Sequence, residues 1–297
     1  MTAERSPNGP RASRLIVRRA AVFLAFVALI LVLWEVVKLV GGNPWRIEDE
    51  VIWDPPLTFS FASDVNLPHV WDVWVALASP LNAGTTESLG AYLFWQALYT
   101  WREAAIGFAL GALIGIALAI AFVHFGFFER AVSPYVIASQ TIPIVALAPM
   151  IVFFVGQSMT SVVIIATYLS FFPVTIAMLR GLRSPDPRAL ELMRSYAAGR
   201  SAVLWKLRLP ASLPYLFTAL KITATASIVG AIVGEGPGGI RYGLGRAILF
   251  FSQQYTIAPE KLWAAILVTA ALGIIFFAIV RVAELRALSR WPESAAA

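Results

Sequence analysis

The 49 residues from Ala131 to Leu179 contain no charged side chain. A single straight helix of that length would measure about 74 Å, more than twice the thickness of the bilayer hydrocarbon. The run therefore predicts two membrane crossings joined by a short turn, and Gly156-Gln157-Ser158 has the composition of such a turn. A second uncharged run, from Ala104 to Phe128, suits one further crossing.

Three more apolar runs complete the set of crossings. The first follows Arg18 and Arg19, and we expect it to be an uncleaved helix, because it is long and no small-residue cleavage site follows it. The others surround Lys221 and end before Arg281. The sequence thus predicts an all-α polytopic membrane protein with six transmembrane helices, at about 16–40, 101–124, 134–155, 160–180, 213–235 and 261–284.

The composition excludes several classes of protein. With 59% hydrophobic residues, 13% charged residues and a mean hydropathy of +0.76, the chain fits neither a water-soluble enzyme nor a disordered segment. The absence of cysteine excludes disulfides and thiolate nucleophiles, and two histidines argue against a histidine-rich metal centre. The net charge of +6 lies between apolar runs rather than on a solvated face, so no nucleic-acid partner is expected.

The basic residues predict the orientation. If the N-terminus is inside, sixteen of the 23 lysines and arginines lie in cytoplasmic segments, as the positive-inside rule requires. Both termini are then cytoplasmic, in tails at 1–15 and 286–297. The core transmembrane domain is predicted at 101–285, and its loop at 181–212 is predicted to be cytoplasmic.

The external segment, predicted at 41–100, is rich in tryptophan and acidic residues. It suits either a packed cap on the membrane surface or a docking surface for an external partner. On the first helix, Glu35 and Lys38 lie three residues apart on one face, and we expect them to pair with each other.

The loop at 181–212 predicts two short amphipathic helices. Asp186 is a suitable N-cap and Pro187 a suitable first helical residue. We expect Gly199 to end this helix in the left-handed conformation, Ser201 to cap the second helix, and Pro210 to end it. Such helices could pack on lipid headgroups or enter the groove of a cytosolic partner. The apolar face of the first helix consists of Ala189, Leu190, Met193, Tyr196 and Ala197.

The segment from Glu191 to Pro210, ELMRSYAAGRSAVLWKLRLP, resembles the EAA loop of ATP-binding-cassette (ABC) importer permeases. Leu192 and Met193 replace two alanines of that pattern. Ala197 replaces its glycine, and Gly199 follows two residues later, so the helix break is expected to be displaced. The resemblance assigns coupling to an ATPase to Glu191, Ala197, Ala198, Gly199, Leu207, Leu209 and Pro210.

The resemblance extends over about 100–285. Ser139–Pro143, Ala146–Pro149, Phe172-Pro173 and Leu213–Tyr215 are similar to segments of the nitrate, sulfonate and taurine permease group, whereas Glu103 looks like the neighbouring branch for pyrimidines and other heterocycles. This implies a type I ABC importer permease in a bacterial inner membrane. It also implies three partners: a second permease copy, with a homodimer expected, an ATPase dimer and an external solute-binding protein.

The chain contains no Gly-Lys dipeptide and hence no Walker A loop. ATP and magnesium are therefore expected on the partner ATPase, with no cofactor on this chain and no enzymatic activity of its own.

Prolines interrupt the predicted third and fourth helices. Broken helices at membrane depth often line a pathway, although a structural kink is the alternative. Glu235 ends the fifth helix and could be a hydrated or paired carboxylate at the outer interface, or a gate. Gly107, Gly111 and Gly115 predict close helix packing within the subunit. The candidate path residues are Ser139, Gln140, Thr141, Pro143, Thr167, Tyr168 and Glu235.

Two other classes of membrane protein fit the sequence less well. An ion-driven secondary transporter is the alternative function, but it calls for an internal repeat and buried acidic residues, and an intramembrane enzyme calls for paired ionisable groups at membrane depth. No such features are evident in the sequence. For the importer, Lys221 is the one clearly interior basic residue, which favours a heterocycle such as a pyrimidine or flavin over a small anion such as nitrate, a sulfonate or taurine.

Overall fold

The computed structural model describes residues 10–47, 50–82, 84–236 and 240–289. It is almost entirely helical, with one small antiparallel hairpin of β1 and β2. A 3₁₀ turn lies at Ser60–Ala62 and a π-helical turn at Leu204–Arg208. The helices and strands are α1 (Pro10–Gly41), β1 (Trp45–Ile47), β2 (Glu50–Trp53), α2 (Val70–Ala78), α3 (Leu89–His124), α4 (Gly126–Ser139), α5 (Ile144–Val155), α6 (Met159–Leu182), α7 (Pro187–Ser195), α8 (Arg200–Val203), α9 (Leu209–Glu235), α10 (Leu244–Ser252) and α11 (Pro259–Leu288).

The core of the molecule is the packing of α6 between α3 and α9. Three glycines of α3 face α6 at helical spacing. A Cβ atom added to Gly107 would lie 2.4 Å from Ala166 Cβ, and one added to Gly111 would lie 2.3 Å from Ser170 Cβ. On the other side of α6, a Cβ on Gly230 of α9 would lie 2.8 Å from Ala166 Cα. The predicted close packing within the subunit is confirmed, because only glycine lets these backbones approach so closely.

Four helical stretches in the described residues are long and apolar enough to cross a membrane: α3, α6, the continuous helix Arg200–Glu235, and α11. A fifth crossing results if α4 and α5 count as one broken span, with an angle of 101° between them. The predicted interruption of the fourth helix by Pro173 is wrong, because α6 continues from Met159 to Leu182 without a break. The predicted interruption of the helix at 134–155 is confirmed. Pro143 disfavours helical geometry at the preceding residue, and the chain turns between Ser139 and Ile144 before α5 begins.

Helix α1 is 32 residues long and contains the predicted first crossing at 16–40. The count of six crossings stays a prediction. Of the predicted tails, residues 1–9 and 290–297 lie outside the described residues, while 10–15 and 286–288 belong to helices.

The predicted external segment is partly helical. Helix α3 begins at Leu89, twelve residues before the predicted boundary, and the hydroxyl of its N-cap Ser88 accepts a hydrogen bond from the Ala91 amide at 3.2 Å. The helix of the second predicted crossing therefore begins earlier in the sequence than expected.

The part of the external segment that precedes α3 is tied to α1 by charged side chains. The expected pairing of Glu35 with Lys38 is wrong. Lys38, fully buried, pairs with Asp64 and donates to the Leu67 carbonyl at 2.7 Å. Glu35 instead lies 2.8 Å from His69 Nδ1 and accepts the Val70 amide at 2.8 Å. A buried ammonium needs several acceptors, and Asp64 and Leu67 of this folded segment supply them.

Candidate coupling loop and translocation path

Helix α7 begins as the sequence predicts. The Asp186 carboxylate accepts a hydrogen bond from the Arg188 amide at 2.7 Å, and Pro187 is the first helical residue. Glu191 is exposed on this helix, and none of its residues is buried. On the predicted apolar face, Leu190 and Met193 are half-buried, whereas Tyr196 is 77% exposed. The end of α7 is therefore open for contact with a partner.

The break after α7 lies at Ala197 rather than Gly199. Ala197 has φ of 54°, and it is the one non-glycine residue with positive φ in the described part of the chain. Its amide donates to the Arg194 carbonyl at 2.8 Å, and the Ala198 amide donates to the Met193 carbonyl at 3.0 Å. These two bonds form a Schellman motif with alanine at the position that glycine usually occupies.

The expected left-handed Gly199 is wrong, since its φ of −63° and ψ of 161° are extended. The break stands at the position of the EAA pattern's glycine, so the expected displacement is also wrong. The physical reason is that the paired Schellman hydrogen bonds outweigh the moderate strain of alanine in this conformation.

The second predicted helix is the start of a longer one. Its N-cap is Gly199, not Ser201, and no side chain caps it. Pro210 does not end it, because a π-helical turn at Leu204–Arg208 leads directly into α9. The helix runs unbroken from Arg200 to Glu235, so the loop and the core of the molecule share one rigid element.

The base of this helix is fixed to the core by apolar contacts. Leu204 is buried with Ala119, Met178 and Leu182, and the half-buried Leu209 packs against the same cluster. Leu207 and Pro210 are also half-buried. Arg208 donates to the Leu182 carbonyl at 3.3 Å. A displacement of the loop would therefore be transmitted to α3, α6 and α9 together.

Five of the seven predicted path residues lie at the bend between α4 and α5. The Tyr168 hydroxyl donates a hydrogen bond to the Ser139 carbonyl, which lies at the last turn of α4. Gln140 and Thr141 follow in the bend itself, and their side chains are exposed. Pro143 is the N-cap of α5. The broken span thus presents neutral hydrogen-bonding groups at an unwound position.

Thr167 lies on a different face of α6. Its backbone lies against α3. A Cβ atom added to Gly111 would lie 3.0 Å from the Thr167 carbonyl oxygen, and one added to Gly107 would lie 3.1 Å from the Thr167 nitrogen. Its hydroxyl is buried without a hydrogen-bond partner in the described residues. The structure therefore does not bring Thr167 to the bend.

An open cleft of about 550 Å³ lies between α6 and α9. Tyr168, Phe172, Ile176 and Arg180 recur at four-residue spacing, so the cleft continues the Tyr168 face of α6 toward the 181–212 loop. Sequence reasoning did not assign these cleft residues to one site, although their spacing was visible. The lining consists of Phe172, Pro173, Ile176, Ala177, Arg180, Pro214, Tyr215, Thr218, Ala219 and Ile222.

Glu235 belongs to a separate, buried cluster. It is 0% exposed, and its Oε2 accepts the Gly245 amide of α10 at 2.6 Å. Its carboxyl group also contacts Thr100 and Glu103 of α3 rather than the bend. Of the expected alternatives for Glu235, the hydrated carboxylate is wrong, because the side chain is buried. Glu103 is also buried, at 7% exposure. The polar stripe Gln96, Thr100 and Glu103 at helical spacing on an apolar helix was the signal for this cluster.

Residues 111–288 match the family described as "Binding-protein-dependent transport system inner membrane component". The match covers more than half of the chain and contains the bend, the loop and the cleft.

The chain belongs to this family of ABC importer permeases. It is therefore a transport subunit and a multi-pass inner-membrane protein.

The similar proteins include permeases that are named for formylaminopyrimidine, riboflavin and aliphatic sulfonates. The permease is 35% identical over 213 residues to the formylaminopyrimidine transport permease protein ThiX of Halalkalibacterium halodurans. The matched region covers 70% of this chain and 83% of ThiX. It is 31% identical to the riboflavin transport system permease protein RibX of Chloroflexus aurantiacus, over 70% of this chain and 76% of RibX. The putative aliphatic sulfonates permease SsuC of Bacillus subtilis is 28% identical, over 69% and 73%.

Solved transporters share the fold of the permease. A crystal structure of an amino acid ABC transporter with histidines matches with a TM-score of 0.55 and 16% identity, over 66% of this chain and 94% of that chain. An inward-facing MetNI methionine ABC transporter matches with a TM-score of 0.51 and 19% identity, over 68% and 95%. The helical core therefore has the same fold as these transporter chains.

Proposed function

We propose that this permease forms the pathway of an ATP-driven importer and takes its driving force from a separate ATPase dimer through the 181–212 loop. The observation that carries this proposal is the unbroken helix from Arg200 to Glu235. Helix α7 presents exposed Glu191, Leu192 and Tyr196 to a partner, and the Schellman turn connects α7 directly to that long helix. A rigid-body shift imposed on α7 would thus move α9 within the core.

In this proposal ATP and magnesium bind the ATPase, and the permease itself carries no cofactor. Both termini and the loop are cytoplasmic, because most basic residues lie in those segments. An external solute-binding protein delivers the substrate on the opposite side, where the cap of residues 41–88 is placed.

A second copy of the permease completes the pathway. Large apolar side chains on the α4–α5 arm are strongly exposed, among them Tyr135 at 76%, Phe153 at 83% and Phe154 at 78%. The bend with Gln140 and Thr141 lies on this same arm. A homodimer would cover part of the arm and place two bends on either side of a central path.

The substrate is a planar heterocycle, of the pyrimidine or flavin type. The cleft between α6 and α9 offers the rings of Phe172 and Tyr215 for stacking and the hydroxyl of Thr218 for a hydrogen bond. The permeases ThiX and RibX are named for formylaminopyrimidine and riboflavin. This likeness supports the same class of substrate here.

A small anion is the second candidate. Arg180 lies at the loop end of the cleft and is the one basic side chain in its lining. SsuC is named for aliphatic sulfonates, and a guanidinium is suited to bind sulfonate or nitrate oxygens.

Reconstitution of the complete transporter in vesicles tests the function. The permease, its ATPase and its binding protein should take up substrate only with ATP, and an ionophore that collapses ion gradients should leave uptake unchanged. Uptake that needs an ion gradient but no ATP would instead support the secondary transporter. Competition with excess pyrimidine, riboflavin, nitrate or taurine identifies the substrate class.

A further inference from the structure

The amide groups at the start of α10 are held by side chains from two other helices. The Gly243 amide donates to Gln96 Oε1 at 2.6 Å, and the Leu244 amide donates to Thr100 Oγ1 at 2.8 Å. The Gly245 amide donates to Glu235 Oε2 at 2.6 Å. Helix α10 is thus attached to α3 and α9 through the groups that would otherwise be unsatisfied at its N-terminus.

The backbone of α10 lies directly on the carboxyl group of Glu235. A Cβ atom added to Gly243 would be 2.2 Å from Glu235 Cδ, and one added to Gly245 would be 3.0 Å from Glu235 Oε2. Glu235 is 0% exposed and Glu103 is 7% exposed. Both carboxyl groups are therefore removed from bulk water.

Glu103 follows Thr100 by one turn of α3, on the side that meets the start of α10, and its carboxyl group lies next to that of Glu235. One oxygen of each, Glu103 Oε2 and Glu235 Oε1, has no hydrogen-bond donor from the described residues. An ionised carboxylate can only accept hydrogen bonds, and two neighbouring ionised carboxylates repel strongly in a low-dielectric interior. The contact requires a donor between them.

The surrounding charges do not supply that donor. Neither glutamate forms an ion pair within the described ranges. On α3, Arg102 acts on Glu103 through its field only. On α10, Arg246 is exposed and acts on Tyr92. On α11, Lys261 donates to the Leu81 carbonyl at 2.8 Å, next to Glu260, and α9 contributes no further charge at this end.

We propose that Glu103 and Glu235 bind one proton between them at neutral pH and so form a proton-binding site that holds α10 against α3 and α9. The protonated carboxyl donates to the ionised one, which fills the missing donor position. The single negative charge that remains lies at the N-terminus of α10, where the helix dipole stabilises it. This inference concerns the proton and does not depend on the transported substrate.

Infrared spectroscopy of the purified permease tests for the proton directly. Between about pH 6 and about pH 9, where a solvated glutamate is ionised, the wild type should show the carbonyl stretch of a buried protonated carboxyl group. The band should vanish in Glu103→Gln and in Glu235→Gln, because the amide then donates to the remaining carboxylate. The exposed Glu87→Gln is the matched control and should retain the band.

Thermal unfolding gives a second readout. A proton held only in the folded state makes the ratio of folded to unfolded protein fall about tenfold for each pH unit over this range. We expect the melting temperature of the wild type and of Glu87→Gln to decrease with rising pH, while that of Glu103→Gln shows none of this contribution. If Glu103→Gln does not fold, Glu235→Gln and the wild-type spectrum decide the question.

Three results would overturn the proposal. The first is a wild-type spectrum without the protonated band at neutral pH. The second is a band that persists in both glutamine variants. The third is a wild-type stability that follows the concentration of sodium or potassium but not pH, which would place a cation between two ionised carboxylates. Each of these readouts is obtained without transport, so failure of the importer proposal would not be mistaken for failure of this one.

Discussion

The Leu209 amide donates its hydrogen bond to the Leu204 carbonyl, five residues back instead of four. This π-helical turn directly precedes Pro210, which has no amide hydrogen and would crowd an α-helical carbonyl four residues before it. The wider turn relieves that conflict and lets the helix continue to Glu235. A proline that would normally end a helix is thus contained within the element that links the loop to the core.

The left-handed Ala197 leads to a prediction about stability. Alanine in this conformation costs roughly 1–2 kcal/mol, which glycine avoids. Ala197→Gly should therefore raise the melting temperature and preserve binding to the ATPase. Ala197→Val should lower both, because a β-branched side chain fits this conformation poorly. Thermal unfolding and co-purification of the ATPase measure the two effects.

Gly199→Ala is the matched control for the turn. Gly199 has negative φ, and an added Cβ would meet no atom within 4 Å. We expect melting temperature and ATPase binding to stay at wild-type values. A larger loss in Gly199→Ala than in Ala197→Val would contradict the position of the turn.

The contrast between Asp186 and Ala197 shows what local sequence can predict. The cap at Asp186 depends on neighbouring residues only, and it forms as expected. The turn at Ala197 opposes the intrinsic preference of alanine. Lys38 pairs with Asp64, 26 residues along the chain, and local sequence does not specify so distant a partner. The π-helical turn is not predictable from α-helical rules, under which Pro210 ends a helix. The long apolar helices and the start of α7 were predictable, since apolar length and capping residues are properties of the sequence itself.

The glycine face of α3 predicts a specific sensitivity to added volume. Gly111→Ala should destabilise the permease by roughly 1–3 kcal/mol, because its Cβ would lie 2.3 Å from Ser170 Cβ and force α3 away from α6. Gly273→Ala on α11 is the control, since no atom lies within 4 Å of the added Cβ. Equal melting temperatures for the two variants would show that α3 and α6 do not pack in this way.

The proposed orientation can be tested by single-cysteine labelling, since the chain has no cysteine of its own. Ser201 and Ser252 are both exposed. The predicted topology puts Ser201 on the cytoplasmic side of the membrane and Ser252 on the outer side. In intact cells with the outer membrane permeabilised, an impermeant thiol reagent should label Ser252→Cys but not Ser201→Cys. Both should react after the inner membrane is opened, and the reverse pattern in intact cells would invert the topology.

The cleft predicts a test of substrate class at Tyr215. If its ring stacks on a heterocycle, Tyr215→Leu should raise the KM for that substrate roughly two- to tenfold, while Tyr215→Phe keeps the ring and stays near the wild-type value. The turnover rate at saturating substrate should change little in both variants. Steady-state uptake in vesicles over a range of substrate concentrations measures the difference. If the substrate is an anion instead, Arg180→Gln should raise KM and the two Tyr215 variants should behave alike, because a guanidinium binds the anion through charge and hydrogen bonds rather than through a ring.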